Sequence, residues 1–172
     1  MLFHISENGD IARFDPRHSE HASDPVVWSI DADHVRNYLV PRDCPRVTFY
    51  GGPQTTAADR DRFLGASHAV VAVEQSWLDR LRAARVYCYH LPPETFQCID
   101  RCAGYFVSRL PVVPTRVDVI DDAIAELRRR NVELRIVRNL WPLRDAVAAS
   151  SLMFSIIRMR NAEPRRTAGR DG

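Results

Sequence analysis

The stretch YLVPRDCPRVTFYGG, residues 38–52, holds two arginines on a stiffened loop: Pro41 and Pro45 restrict the backbone around Arg42 and Arg46. A held pair of guanidiniums suits a phosphate or pyrophosphate, and Asp43 is placed to orient one of them. The structural alternative is that Arg42 pairs with Asp43 or closes the C-terminus of the element before it. His4 sits in the apolar run LFHIS, where a core histidine is the ordinary reading and a ligand-holding one the sharper reading. Cys88 and His90 alternate onto one face of VYCYHL, and Cys98 and Cys102 lie four apart in CIDRC. Thiols and imidazoles are zinc ligands, but the chain has neither a C-x-x-C knuckle nor an H-x-x-x-H pair. The expectation is therefore no metal, with Cys44, Cys88, Cys98 and Cys102 as reduced, buried thiols. Trp28 and Tyr38 are the large aromatics a core would use. Arg109, before a Pro-rich turn, is a candidate to line a cleft. His90 reads as structural and His34 as solvated.

The chain of 172 residues is long enough for one domain with its own core. All 24 basic residues are arginine. The segment 160–172, RNAEPRRTAGRDG, carries four of them against two acids, which leaves 20 against 20 in residues 1–159. A balanced body is not built to coat a phosphate backbone, so nucleic acid is not the favoured partner. The Arg-rich end reads as a polar, flexible tail. No apolar run is long enough to span a bilayer, and MLFHISENGD lacks the features of a signal peptide, so the expectation is a cytoplasmic protein. P-loop, dinucleotide-binding, nucleophile-elbow and H-E-x-x-H motifs are absent.

The elements that must position these residues are mostly short strands. MLFHI, PVVWSI, RVTFY, HAVVAVE, RVYCYHL, AGYFVS, VELRIV and LMFSIIRM read as strands, HAVVAVE with enough apolar residues to be buried on both faces. DADHVRNYLV reads as a short helix capped by Asp31 and stopped by Pro41. SWLDRLRAA reads as a helix entered through a Ser76–Asp79 box. DVIDDAIAELRRRN reads as the clearest helix, acidic at its start and basic at its end, and PLRDAVAASS as a helix with Pro142 in its first turn. HSEHASD and PPETFQCIDRC read as loops. The expected fold is one α+β domain over residues 1–159 with a mixed, mostly antiparallel sheet and short helices.

The strings VVWSIDADHVRNYLVPRDCPRVTFY and FSIIRMRNAEPR resemble an uncharacterised bacterial domain family over most of the chain. More remotely, the order of elements is similar to the ADP-ribosyltransferase-like fold, in the branch of the rifampin ADP-ribosyltransferases and tRNA 2'-phosphotransferases. That resemblance implies that His4 on the first strand holds an NAD ribose, with Ser6 as its neighbour. It implies that Trp28 or Tyr38 stacks on nicotinamide. The stretch VSRLPVVP lies where such folds bring an acid, but Ser108, Arg109 and Leu110 supply none, and Glu74 is the substitute. The resemblance thus gives His4, Tyr38 and Glu74 as the catalytic set. His4, Ser6, Trp28, Arg42, Arg46 and Arg109 hold the nucleotide, with NAD as the implied substrate. The functional expectation is an NAD- or phosphorylated-nucleotide-binding protein, an ADP-ribosyl- or 2'-phospho-transferase if it is an enzyme. The rivals are a non-catalytic nucleotide or anion module, and an interaction protein acting through its Arg-rich tail.

Overall fold

The computed structural model describes residues 1–19 and 22–165. The first half contains strands β1 (Leu2–Ser6), β2 (Arg17–Ser19) and β3 (Ala22–Ile30), a 3-10 turn at Val35–Tyr38, and strand β4 (Arg46–Tyr50). A short helix α1 (Ala57–Asp59) runs into a π turn (Arg60–Leu64), followed by strand β5 (Ala69–Glu74), a 3-10 turn at Gln75–Trp77 and helix α2 (Leu78–Ala83). The second half contains β6 (Val86–Leu91), β7 (Gln97–Asp100), β8 (Tyr105–Ser108), β9 (Arg116–Ile120), α3 (Ala123–Arg129), β10 (Val132–Val137), α4 (Trp141–Ala148) and β11 (Met153–Ile157). The class is α+β, with mostly antiparallel pairing and short helices.

The strands divide between two sheets, and the chain between two compact units. The first unit is Met1–Arg42 with Ala83–Ala123; the second is Asp43–Arg82 with the described part of Ile124–Gly172. Each unit is discontinuous, so no linker marks the division and the sequence shows none.

In the first unit the sheet runs β7-β8-β3-β1-β6-β9, with β2 on β3, and every pairing is antiparallel. Its core gathers Leu2, Phe14, Val27, Tyr89, Leu91 and Val112. β1 pairs with β6 along its whole length but with β3 only at Phe3 and Ile30, so β1 and β3 splay beyond that point. The turn between β7 and β8 passes over residues 31–34 at Gly104, whose φ is 67° and where any Cβ would run into the His34 ring and the Asp31 carboxylate. His34 is buried, against the expectation of a solvated side chain. Asp31 pays for that by accepting both its backbone N–H at 2.9 Å and, at 2.7 Å, a bond from its ring Nδ1.

In the second unit the sheet runs β10-β5-β4-β11, with β5 and β10 parallel and the rest antiparallel. All six residues of β5 are buried, as its apolar run demands. Val47, Phe49, Val70, Ala72, Leu140 and Val147 form the core on one side. α4 carries Pro at its first turn, as expected. Three local expectations are corrected. Val119 and Ile120, with Asp118 before them, lie in strand β9, and the following helix starts at Ala123. The loop PPETFQCIDRC contains strand β7. Helical backbone starts at Gln75 after Glu74, so Ser76 lies inside the element and does not cap it.

Residues 160–165 of the expected flexible tail are held within the second unit; the remainder, 166–172, lies outside the described residues. The Glu74 carboxylate, fully buried, accepts the backbone N–H of Leu140 at 2.9 Å with one oxygen and that of Glu163 at 2.8 Å with the other. Asn139 donates to the Pro164 carbonyl and Trp141 Nε1 to the Glu163 carbonyl, both at 3.0 Å. Arg165 pairs with Asp145 and lies over the Trp141 ring at 5.3 Å. Both groups facing Glu74 are donors, so an amide in its place must point one N–H at another. Glu74→Gln is expected to cost about 2–3 kcal/mol, read in thermal melts as a fall of roughly 5–10 °C in Tm. An unchanged Tm would show that the carboxylate does not hold the segment.

Candidate functional site

The splay between β1 and β3 is where the first unit's chemistry gathers. His4, half-buried on β1, reaches across it, and its Nδ1 lies 2.9 Å from the Trp28 carbonyl oxygen. A carbonyl can only accept, so Nδ1 carries the hydrogen and Nε2 carries the lone pair. Nε2 has no hydrogen-bond partner among the described residues. Burial holds the His4 pKa below the ordinary imidazole value; the Trp28 carbonyl opposes this, and the positive charges of Arg42 and Arg17 add to it. The ring is therefore neutral at neutral pH.

Its support is aromatic. The Phe14 ring lies 4.8 Å from the His4 ring, and Tyr89 stands edge-on to Phe14 at 5.1 Å. The Tyr89 hydroxyl donates to the Asn8 carbonyl at 2.8 Å and accepts from the Ile11 N–H at 3.1 Å, which fixes the loop after β1. On β3, Trp28 Nε1 donates to the Ser19 hydroxyl at 3.2 Å, and Tyr105 stands edge-on to the indole at 5.8 Å. The Tyr105 hydroxyl lies 3.0 Å from that of Tyr38. The Pro41–Arg42 turn is drawn to the end of β1 by the Arg42 N–H, which donates to the Glu7 carboxylate at 3.0 Å.

Six of the eight sequence candidates therefore lie in the first unit: His4, Ser6, Trp28, Tyr38, Arg42 and Arg109. His4 and Trp28 are hydrogen-bonded, and the charge of Arg42 lowers the His4 pKa. Tyr38 joins them through Tyr105. Ser6 accepts the Asn8 N–H at 3.0 Å and shapes the turn after His4. Arg109 is engaged with Asp24 at 3.2 Å on an exposed surface. Arg46 and Glu74 belong to the second unit. Arg46 is buried and donates to the Cys44 carbonyl at 2.8 Å, whereas Arg42, its neighbour on the same loop, is exposed. Glu74 is occupied by two backbone amides, as described above. Beside them, burial pushes the Cys44 thiol up to about 12, with Arg46 opposing and Glu74 adding to the shift.

Arg17, Phe14 and Tyr105 were not among the sequence candidates. Arg17 lies on a strand of three residues, too short for an alternation to show. Phe14 joins the site through an isolated bridge to Val112, a long-range pairing that no local pattern encodes. Among the described residues no group of three or more Cys, His, Asp and Glu is arranged to hold a metal. Cys98 and Cys102 are exposed, against the expectation of burial: Cys98 lies on β7, a sheet edge with every residue open, and Cys102 in the turn that follows it.

Two outcomes follow. The depressed His4 pKa means that the unfolded chain takes up a proton near pH 6.5 while the folded chain does not. Stability is intact above that pH and falls as the pH drops below it, toward the lowered folded value. Tm measured from pH 8 to pH 5 should therefore fall more steeply for the wild type than for His4→Asn; parallel curves would refute the neutral, enclosed ring. In timed alkylation at pH 8 followed by mass spectrometry, Cys98 and Cys102 should react well before Cys44; equal rates would contradict the enclosed thiol.

No helix of the described residues is long and apolar enough to cross a membrane. No curated protein and no solved structure matches the chain. A family model does match, over residues 3–162, and the chain belongs to that family, a family of unknown function designated DUF6886.

Proposed function

We propose that the first unit binds a phosphorylated nucleotide, NAD in the first instance, at His4, Arg17 and Arg42. The observation that carries this reading is the neutral His4 ring, fixed by the Trp28 carbonyl with Nε2 left as an acceptor, beside two arginines close enough to act on its charge state. An imidazole acceptor suits a ribose hydroxyl, and guanidiniums suit a diphosphate. Trp28, Tyr105 and Tyr38 supply aromatic surface next to it. The resemblance to ADP-ribosyltransferase-like proteins implies a ribose-holding role for His4 and a stacking role for Trp28 or Tyr38, and that fold assignment is part of the proposal. Binding without transfer is the favoured form. Glu74, the acid proposed for transfer, has both oxygens bonded to backbone amides, so neither is left to polarise a ribose.

Calorimetric titration with NAD and with ADP-ribose, following nicotinamide release in the same sample, tests the reading. Binding is expected, with no release. Arg17→Ala and Arg42→Ala should each weaken it about tenfold, the loss of one charge-assisted contact, while Tm stays within the range of ordinary surface substitutions. Nicotinamide release would establish an NAD-consuming enzyme instead, with the acceptor of the ADP-ribose, water or another group, still to be identified. No heat of binding at millimolar nucleotide would sink the proposal.

A further inference from the structure

The two edges of the first unit's sheet are finished differently. β7 carries a register shift between Cys98 and Asp100, the kind of irregularity that discourages another strand from adding on. β9 carries none: Arg116 to Ile120 pair with β6 in unbroken register, and the strand contains neither Lys nor Pro. Among the described residues nothing pairs with its outer side. Val117 and Val119, alternate residues on one face of it, are 39% and 55% exposed, and Val113 just before the strand is 60% exposed. On the other face, Arg116 Nε donates to Asp118 Oδ1 at 2.6 Å, and His90 Nε2 lies 2.7 Å from Asp118 Oδ2.

We propose that β9 pairs antiparallel with β9 of a second copy of this chain, around a two-fold axis at Val117. The sequence of the edge selects this occupant. Residues 116, 117 and 118 read positive, apolar, negative, and reversing the strand direction sets Arg116 of each copy opposite Asp118 of the other. Val117 then faces Val117, with both Val119 side chains diagonal to the pair, so the exposed valines form one apolar strip across the junction. The neighbouring register, centred on Asp118, puts two carboxylates face to face and is disfavoured. The interface is isologous, so it closes at two copies and does not propagate. Because one five-residue strand buries little area, the dimer is weak and concentration-dependent.

Sedimentation velocity of the full chain tests this across about 1 to 300 µM, a span suited to an interface at the small end of the size range. A monomer–dimer equilibrium is expected. Val117→Lys sets two ammonium groups against each other on the axis and should weaken the dimer tenfold or more. Phe154→Lys, an exposed apolar site on β11, should leave it unchanged. Arg116→Asp should weaken it, and adding Asp118→Arg should recover it, because the opposite-charge pairs are then rebuilt with reversed sign. Far-ultraviolet circular dichroism and Tm confirm that each variant is folded. A wild type that stays monomeric throughout leaves β9 to some other occupant and overturns the proposal. A dimer insensitive to Val117→Lys, or one that the double exchange does not recover, overturns it equally.

Discussion

The first unit turns on the fact that a carbonyl oxygen can accept a hydrogen but not give one. The Trp28 carbonyl, where β1 and β3 part, takes the Nδ1 hydrogen of His4 and so decides which nitrogen of the ring is left as an acceptor. Charge state and tautomer are set together, by enclosure and by one backbone group, before any ligand is considered. Other contacts serve that arrangement. Phe14 and Tyr89 back the ring, and the Tyr89 hydroxyl ties down the loop that follows it. Glu7 draws the Arg42 turn to the same end of β1. The tight passage at Gly104 sets the β7–β8 turn against the segment between β3 and Tyr38.

The second unit solves a similar problem with a carboxylate. Glu74 ends a fully buried strand, where an isolated charge is costly, and it is accommodated by backbone N–H groups. One belongs to Leu140 at the entrance of α4, where amide groups are left without partners by the helix itself. The other belongs to Glu163, near the end of the described chain. A buried acid therefore serves as the fastening between a strand, a helix start and a C-terminal segment. This gives a structural reason for a glutamate at the end of so apolar a run.

Much of the fold was legible wherever local chemistry was decisive. HAVVAVE announced a strand buried on both faces, Pro142 announced the start of a helix, and VYCYHL and RVTFY announced their strands. The failures have physical causes. Asp118 to Ile120 looked like the start of an acidic helix because the acids at 118, 121 and 122 run together, but the alternation Val117, Val119 belongs to a strand paired with β6. β2 and β7 are too short to show a period. His34 was read as solvated because burial of an imidazole depends on a carboxylate at the right turn, here Asp31. In the site, His4, Trp28 and Arg42 were visible as residue types on a plausible loop and two strands. Phe14 and Tyr105 enter through pairings across dozens of residues, and Arg17 lies on a strand too short to show an alternation. Arg42 and Arg46 looked equivalent on their shared loop; one is exposed and the other buried, and only the packing of the strand that begins at Arg46 separates them.

The interleaving of the two units along the chain bears on how the protein is made. β1 is the inner strand between β3 and β6, yet β6 begins at Val86, after all of β4, β5 and α2 have been synthesised. A nascent chain therefore presents β1 and β3 with one long side of β1 vacant while the forty residues Asp43–Arg82 of the second unit emerge. That second unit is itself unfinished until β10 and β11 follow. Neither half can close before much of the other exists, so vectorial synthesis gives no early, self-sufficient intermediate. The long interval between pairing strands is the kind that slows folding and leaves strand edges open to aggregation. The order of segments thus places a kinetic demand on the cell that the finished sheets do not reveal.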